Sequence, residues 1–593
     1  MQIICINMSE ERNVNDLSKL KSNHALVKAL KHWEIDHVYG IPGDTIDTVI
    51  DALKGAEDEI KFYNVRHEEV ASLAAASYTK LTGKIAVSVA IGGPGAIHLL
   101  NGMYDAKMDN IPQLVLVGQA NTDLLGTKYF QELDLTAMFA DVAVYNKQLD
   151  QAENVFEVVN EAIQTAYDKK GVAVLSIPGN LLSTKIEDHT AEAPIKMPVQ
   201  TSEIDQANIS EAIKLIEQSK HPVVLAGTGT KHAKELLVQF IEHAQLPSIV
   251  TLPAKGLIPD THPNMLGNLG KIGTKPAFEA TKEADLLIMI GTNFPYVDYL
   301  PDEDVPCIQI DNNPENIGTR HKVTVPLVGD SKEILQLLIE KLPAIKERPF
   351  LEACKENMAE WNKWLDEDRA NNSFPLRPER IMAEIDKIAD EDAVFSIDVG
   401  TSTVWGTRYL RLGHNHRFLT SPWLGTMGCA LPGAIASKIA YPDRQAIAIT
   451  GDGAMAMVMQ DFATAVYHNL PMIIVVLNNK QLSFIKYEQQ AAGELEYAID
   501  FGDIDFAKFA ESCGGVGITV AKPEELAGAF RHAKDVNKPV IINAYVDPDA
   551  APLPGQIVWD EALGYAKFEL RSILEENKFE KMPPLKTIMR RFF

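Results

Sequence analysis

Short apolar runs alternate with longer segments in which apolar residues recur at helical spacing. From about residue 24 the runs HVYGI, IKFYNV, IAVSVA, QLVLVG and VAVLSI follow one another in this way. An order of strand, helix and strand is typical of a parallel sheet whose two faces are covered by helices.

Two further series of the same kind follow. The second contains PVVLAG, LPSIVTL, DLLIMIG, PCIQID and VTVPLVG, and the third contains AVFSID, QAIAIT, MIIVVL and PVIINAYV. The polar stretch 185–202 and the segment NNSFPLRPER (371–380) are typical of linkers. We therefore predict three consecutive parallel-sheet α/β domains, at residues 1–190, 200–345 and 375–550, followed by a tail at 551–593.

The composition narrows the class of protein. Hydrophobic residues make up 46% and charged residues 23%, as in soluble globular proteins, and no apolar run is long enough to span a membrane. The opening MQIICIN lacks the features of a signal peptide, so a cytoplasmic protein is expected. A net charge of −25 argues against binding to nucleic acid. The cysteines show no metal-like spacing, which predicts free thiols at Cys5, Cys307, Cys354, Cys429 and Cys513.

The segment ITGDGAMAMVMQDFATAVYHNLPMIIVVLNN predicts a site for a metal ion and a diphosphate. The strand QAIAIT leads into Gly451, Asp452 and Gly453, and the strand MIIVVL ends at Asn478 and Asn479. Because the carboxyl ends of parallel strands meet at one edge of a sheet, Asp452 and Asn479 should lie side by side. Such oxygen ligands suit Mg²⁺, and the helix after Gly453 offers N–H groups to phosphates. A lone GDG would be an ordinary strand-to-helix turn, but the whole combination favours the metal site.

This combination resembles the thiamine-diphosphate motif, in which GDG, a helix and a strand are followed by NN. The resemblance implies thiamine diphosphate bound through Mg²⁺, with the main-chain carbonyl of Gln481 as the third protein ligand. It also implies a glutamate directly after an RH pair, which is Glu68 at a strand-to-helix transition. This acid would hold N1′ of the aminopyrimidine so that the 4′-imino group can remove the C2 proton. Taken alone, Glu68 and Glu69 would be ordinary partners of a helix dipole.

The same resemblance gives a role to Met427 in SPWLGTMGCALPGA. It matches the bulky residue that wedges beneath the thiazolium ring, although a methionine between glycines is more often core packing. In the family the glutamate domain of one subunit meets the diphosphate domain of another. The resemblance thus implies a homo-oligomer whose minimal active unit is a dimer, and a dimer of dimers is expected.

Similarity to the pyruvate oxidases extends from about Asn23 to the C-terminal region. It implies that a further set of residues, in the segments YGIPGDT, YFQELD and LSFIKYEQ, surrounds pyruvate and the carbanion that forms on the coenzyme: Gly43, Asp44 and Thr45 as cofactor-binding residues, and Phe130, Gln131, Phe484 and Glu488 as catalytic residues. Glu488 would position the substrate. An aromatic residue and a glutamate four positions apart are also common on one face of a structural helix.

The middle region contains glycine-rich turns after strands, which allow backbone N–H groups to approach a pyrophosphate. The third glycine of a dinucleotide fingerprint is missing, because His232 occupies that position. The resemblance across five segments nevertheless implies bound FAD. The residues it assigns to the cofactor are Gly227, Gly229, Lys255, Gly270, Gly291, Asn293 and Asp311.

Two kinds of pyruvate oxidase differ in their electron acceptor. One uses phosphate and O₂ and gives acetyl phosphate, CO₂ and H₂O₂. The other reduces a quinone, gives acetate and CO₂, and docks on the inner face of the cell membrane. Asp44 favours the quinone type, because a carboxylate is unfavourable beside a phosphate pocket.

The tail also favours the quinone type. GYAKFELRSIL resembles the C-terminal region of those enzymes, and KTIMRRFF suits an anionic membrane interface. The alternative for the tail is a terminal helix docked on its own protein. An acetolactate-synthase-like carboligase, which holds FAD without using it for redox, is the alternative for the whole chain.

Overall fold

Three parallel sheets organise the chain, as predicted. The structure is a computed structural model that describes residues 19–187 and 204–551. Two compact units make up the chain, Met1–Pro198 and Val199–Phe593. The first unit contains one six-stranded parallel sheet and the second contains two. The three-sheet α/β fold is confirmed, while the bounds of the three domains and of the tail stay a prediction.

The first unit begins and ends with short strands that pair antiparallel with each other, β1 (Lys19–Lys21) and β8 (Lys185–Glu187). Its other strands are β2 (His37–Gly40), β3 (Lys61–Asn64), β4 (Ala86–Ala90), β5 (Gln113–Gln119), β6 (Ala143–Gln148) and β7 (Val172–Pro178). They form a sheet in the order β3-β2-β4-β5-β7-β6. The helices are α1 (Ser22–His32), α2 (Asp47–Lys54), α3 (Glu68–Thr82), α4 (Pro94–Met108), α5 (Leu135–Met138) and α6 (Val155–Lys169).

The start of the predicted linker 185–202 is wrong, because its first three residues form β8. Ile186 is buried there between exposed Lys185 and Glu187. An alternation of only three residues is too short to predict a strand from the sequence. The remainder of that stretch lies outside the described residues.

The first sheet of the second unit contains β9 (Pro222–Ala226), β10 (Ser248–Val250), β11 (Met265–Asn268), β12 (Leu286–Ile290), β13 (Cys307–Asp311) and β14 (Val325–Val328). Their order is β11-β10-β9-β12-β13-β14, so the direction of winding reverses between β9 and β12. The accompanying helices are α7 (Gln206–Gln218), α8 (Lys234–His243), α9 (Lys275–Lys282), α10 (Ser331–Lys341) and α11 (Pro349–Arg369).

The last sheet contains β15 (Val394–Ile397), β16 (Arg417–Leu419), β17 (Ala446–Gly451), β18 (Ile473–Asn478), β19 (Val516–Val520) and β20 (Val540–Tyr545). Their order is β16-β15-β17-β18-β20-β19, with the reversal between β15 and β17. The helices are α12 (Pro378–Ile388), α13 (Thr401–Tyr409), α14 (Ala430–Ala440), α15 (Asp452–Val458), α16 (Phe462–Tyr467), α17 (Ser483–Ala492), α18 (Phe506–Ser512) and α19 (Pro523–Asp535).

The cysteines of the described ranges are free thiols, as predicted. Cys307, Cys354 and Cys429 are buried, whereas Cys513 is only half-buried. Burial raises the pKa of Cys307 and of Cys354 to about 12. Cys5 and the predicted membrane-contact tail after residue 551 lie outside the described residues. Within residues 19–187 and 204–551, no helix has both the length and the apolar character needed to cross a bilayer.

Candidate active site

Asp452 and Asn479 directly follow two neighbouring strands at the carboxyl edge of the last sheet. Strands β17 and β18 pair in parallel with Gly451 opposite Leu477. Asp452 begins α15 directly after β17 and is only 4% exposed. The juxtaposition expected from the sequence is therefore present.

The environment of Asp452 fits a cation. Burial raises its pKa to about 6, although the nearby backbone N–H groups of Gly453, Lys480 and Gln481 oppose this shift. Its Oδ2 atom is buried and has no hydrogen-bond partner among the residues that the structure describes. A buried carboxylate oxygen without a donor is unfavourable, and a metal ion would remove that cost.

The neighbouring oxygen atoms are held in place. The Asn479 side chain accepts a hydrogen bond from the Gln481 N–H at 3.1 Å and donates one to Ser483 Oγ at 2.6 Å. Gln481 forms an isolated bridge with Asp500, which fixes its main chain. Oxygen ligands on such rigid supports are suited to Mg²⁺.

Met427 lies beside this turn. A β carbon placed on Gly453 would be 3.5 Å from Met427 Cε and 2.8 Å from Leu482 Cδ2. A side chain at Gly453 would require Leu482 to shift, and the end of Met427 lies beside the GDG turn.

Glu68 begins α3 in the first unit and is 8% exposed. The helix starts one residue earlier than expected, because the His67 side chain accepts the Glu69 N–H and caps it. Glu68 Oε2 lies 2.9 Å from His98 Nδ1. A β carbon on Gly95 would be 3.2 Å from Glu68 Oε1, so the glycine keeps space open beside this oxygen.

His98 belongs to the site but was not predicted from the sequence. Its ring stacks on that of His67, with 4.4 Å between the centroids. His98 lies on α4 and Glu68 on α3, and the packing of these two helices brings them together. A histidine within a helix carries no sequence signal for such a partner.

The turns after β2 and β4 meet at the reversal point of the first sheet. Thr45 Oγ1 accepts the Gly92 N–H at 3.0 Å, and a β carbon on Gly93 would be 3.0 Å from Gln131 Cβ. Gly43 directly precedes a 3₁₀ turn at Asp44–Ile46. The structure thus brings Thr45 and Gln131 to one edge of the sheet.

Asp44 and Phe130 face solvent in the single chain. Phe130 is 72% exposed, and the exposed Asp44 side chain accepts the N–H of Thr45 at 2.8 Å. No described contact assigns either side chain to a pocket, so their assignment to the substrate stays a prediction.

Phe484 and Glu488 share one face of α17. Phe484 is half-buried and Glu488 is exposed. The buried residues of this helix are Ser483, bound to Asn479, and Lys486, whose Nζ lies 2.9 Å from Asp549 Oδ1. The helix is thereby anchored to the candidate metal site through its first residue.

In the middle sheet, Gly227 follows β9 and Gly291 follows β12, on either side of the reversal point. A β carbon on Gly229 would be 2.7 Å from Gly291 Cα, and one on Gly227 would be 2.5 Å from the Gly291 oxygen. Only glycines allow these two turns to approach so closely.

Other residues expected around a flavin have protein partners. Asn293 Oδ1 accepts from Arg320 Nε at 2.9 Å, and Asp311, at the end of β13, accepts from the Asn313 N–H at 2.8 Å. Buried Lys255 pairs with Asp260 at 2.5 Å.

Gly270 has a φ of +109°, a left-handed value that favours glycine, and lies beside the rings of Phe294 and Tyr296. The roles of Gly270, Asn293, Lys255 and Asp311 toward a cofactor stay predictions.

Comparison with known proteins agrees with this geometry. Residues 20–138, 209–338 and 398–544 match, respectively, the N-terminal TPP binding domain, the central domain and the C-terminal TPP binding domain of the thiamine pyrophosphate enzymes. TPP, thiamine pyrophosphate, is the same compound as thiamine diphosphate.

Three relatives span nearly the whole chain. YdaP of Bacillus subtilis (strain 168), named as a thiamine pyrophosphate-containing protein, is 47% identical over 96% of this chain and 99% of its own. A pyruvate oxidase of Lactiplantibacillus plantarum is 35% identical over 96% of this chain and 95% of its own. An acetolactate synthase large subunit of Corynebacterium glutamicum is 32% identical over 89% of this chain and 87% of its own.

Three parallel sheets, a buried glutamate at a helix start and a GDG turn beside NN define the class as a coenzyme-dependent α/β enzyme. The chain belongs to the thiamine pyrophosphate enzyme family, within which it is similar to the pyruvate oxidases.

Proposed function

We propose that this enzyme is a pyruvate oxidase that uses thiamine diphosphate, Mg²⁺ and FAD and passes its electrons to a quinone. The reaction converts pyruvate and water into acetate and CO₂ and releases two electrons and two protons, which reduce the quinone to a quinol. The observation that supports pyruvate as the substrate is the similarity to the pyruvate oxidase of Lactiplantibacillus plantarum over 96% of the chain.

The residues of the site support the coenzyme part of the proposal. When bound, thiamine diphosphate supplies an acidic C2–H group, and loss of this proton would make C2 a nucleophile toward the keto group of pyruvate. Asp452, Asn479 and Gln481 would hold Mg²⁺ and through it the diphosphate. Glu68, oriented by His98, would share a proton with the aminopyrimidine ring, and Met427 would support the coenzyme beside the metal turn.

The middle sheet supports a flavin. Dinucleotides bind at the point where the strand order of a parallel sheet reverses, and Gly227 and Gly291 lie at this point between β9 and β12. Their close approach leaves the backbone of both turns free of side chains. His232 occupies the position of the third glycine in a dinucleotide fingerprint, and its Nε2 atom lies 2.9 Å from Asp330 Oδ1. FAD, when bound, accepts the two electrons.

The choice of a quinone follows from Asp44 and from the tail. The exposed carboxylate of Asp44 disfavours a phosphate co-substrate at this edge. The basic and apolar residues of 551–593 are suited to contact with an anionic membrane, and this contact, like the assembly into a dimer of dimers, is part of the proposal.

A second candidate is acetolactate synthesis, because acetolactate synthases are also among the relatives at 31% to 32% identity. Anaerobic mixing of the flavin-loaded enzyme with pyruvate separates the two. An oxidase bleaches the flavin absorbance, whereas a carboligase leaves the flavin oxidised and produces acetolactate.

Product analysis then decides the electron acceptor. Acetate formed with a quinone, at a rate that phosphate does not change, supports the proposal. Acetyl phosphate together with H₂O₂ would instead assign the enzyme to the phosphate- and O₂-using type.

A further inference from the structure

Asp398 occupies the point where the strand order of the last sheet reverses. It directly follows β15, which lies beside β17, and is 1% exposed. Its main-chain oxygen accepts hydrogen bonds from Ser402 Oγ at 3.0 Å and Thr403 Oγ1 at 2.7 Å, at the start of α13. The backbone that carries the carboxylate is therefore fixed.

Four N–H and O–H donors and the more distant Cys429 Sγ, 4.0 Å from Oδ1, surround the Asp398 carboxylate. Oδ1 accepts from the N–H groups of Val399 at 2.9 Å and Gly428 at 2.7 Å. Oδ2 accepts from the Ala430 N–H at 3.2 Å and from Thr450 Oγ1 at 3.0 Å. A buried carboxylate with this many donors is strongly held in one orientation.

Three of these donors come from the two segments that flank the candidate metal site. Gly428 belongs to the loop that carries Met427, Ala430 begins α14 directly after this loop, and Thr450 precedes Gly451 at the end of β17. One carboxylate thus connects the methionine loop to the strand that presents Asp452.

The opposite side of the loop is equally constrained. Gly428 has a φ of +86°, and a β carbon there would be 2.9 Å from Val458 Cγ1 on α15. The loop is therefore fixed between Asp398 on one side and α15 on the other. Since Met427 Cε lies near Gly453, a shift of the loop would move the methionine relative to the metal turn.

We propose that Asp398 is a positioning residue that sets the distance between Met427 and the Asp452 turn and so shapes the seat of thiamine diphosphate. It touches neither substrate nor coenzyme and acts through the two segments it connects. The inference rests on the proposed function only in that thiamine diphosphate binds at this turn.

Two substitutions weaken the connection in different ways. In Asp398→Asn the amide oxygen can still accept from Val399 and Gly428, but the amide nitrogen faces the Ala430 N–H, which loses its acceptor. Thr450→Val removes one hydroxyl donor without changing the size of the side chain. Thr450→Ser keeps the hydroxyl and is the matched control.

The test measures the concentration of thiamine diphosphate at half-saturation with saturating Mg²⁺, and the rate of C2 hydrogen exchange in the fully loaded protein. We expect Asp398→Asn to raise the half-saturation concentration and to lower the C2 exchange rate, each about tenfold. A change of this size corresponds to the loss of roughly one buried hydrogen bond. Thr450→Val should also raise the half-saturation concentration and slow C2 exchange, each by a smaller factor than Asp398→Asn does. Thr450→Ser should give wild-type values.

A purely structural role for Asp398 would lower the thermal midpoint and leave the exchange rate of the loaded protein unchanged, and that result would overturn the proposal. If Asp398→Asn does not fold, the C2 exchange rates of Thr450→Val and Thr450→Ser test the proposal instead. Equal rates in these two variants would then overturn it. Wild-type protein that fails to bind thiamine diphosphate would overturn the proposed function as well, so the two failures are distinguishable.

Discussion

Glu68 and Asp452 are both carboxylates in the first turn of a helix, and their surroundings give them different chemistry. Glu68 is paired with an imidazole and has a glycine beside its second oxygen. Asp452 is surrounded by backbone N–H groups and keeps one buried oxygen without a partner. The first environment suits an acid that shares a proton, and the second suits a metal ligand.

Replacement of Glu68 by glutamine should separate binding from activation of the coenzyme. The amide keeps the shape of the side chain but cannot share a proton, so we expect C2 exchange of bound thiamine diphosphate to slow by about 100-fold or more. Coenzyme affinity should stay within a few-fold of wild type. Hydrogen–deuterium exchange followed by NMR measures this rate.

Glu69→Gln is the matched control for this substitution. Glu69 lies next in the helix and accepts from Asn101 Nδ2 at 2.5 Å, a bond that glutamine can keep. The rate of C2 exchange in Glu69→Gln should equal that of wild type. Wild-type exchange in Glu68→Gln would remove Glu68 from the role proposed here.

The pKa of Asp452 predicts a pH dependence for Mg²⁺ binding. Burial raises this pKa to about 6, so the metal-free protein holds a proton on Asp452 below pH 6, and Mg²⁺ must displace it. Mg²⁺ affinity should be constant above about pH 7 and should fall roughly tenfold per pH unit below pH 6. Calorimetric titration of Mg²⁺ between pH 5 and 8 checks the slope. Asp452→Asn should bind Mg²⁺ weakly with little dependence on pH, and a flat wild-type profile would contradict the assignment.

Motif residues were predictable at this scale, and their supporting partners were not. The GDG and NN residues follow apolar strands whose carboxyl ends share an edge, so Asp452 and Asn479 could be placed together from the sequence. His98 reaches Glu68 only because two helices pack together. Asp398 lies between its partners only because of the strand order, which no local sequence pattern predicts. Both become visible only when the sheets are assembled.

At the scale of elements, α3 and α4 form the support of Glu68. Lys80 near the end of α3 lies 2.6 Å from Asp105 Oδ2 and 2.6 Å from Asp109 Oδ2 of the α4 region, and the three side chains are no more than 9% exposed. Burial lowers the pKa of Lys80, but the two aspartates more than offset this and raise it above its usual range. The lysine is therefore a permanent cation between the helices.

Lys80→Met should leave two buried carboxylates without their cation and destabilise the protein by about 3–5 kcal/mol. Lys31→Met is the control, because Lys31 pairs with Glu59 at the surface, and its loss should cost less than about 1 kcal/mol. Guanidinium unfolding followed by circular dichroism measures both. Equal effects of the two substitutions would mean that the buried cluster does not stabilise the helix pair.

The strands that the sequence did not reveal in the three large sheets are edge strands: β6, β11, β16 and β19. A central strand of a parallel sheet is buried on both faces and forms a continuous apolar run, as in β12 and β18. Edge strands are partly solvated and need no such run. All residues of β6 are only half-buried, and β16 has three residues.

At the scale of the whole molecule, each of the three large sheets has candidate functional turns at the point where its strand order reverses. Thr45 and Gly92 lie at this point in the first sheet, Gly227 and Gly291 in the second, and Asp398 and Gly451 in the third. The sequence predicts three parallel sheets, because apolar runs alternate with helical patterns. It does not predict strand order, which depends on contacts between distant segments, and so the reversal points could not be located in advance.

Calorimetric titration of thiamine diphosphate into the metal-free protein tests most directly whether Mg²⁺ holds the coenzyme at the Asp452 turn. With Mg²⁺ present, we expect one thiamine diphosphate to bind per chain, and with EDTA in its place the binding heat should disappear. Equal binding with EDTA, or no binding with Mg²⁺, would contradict the account.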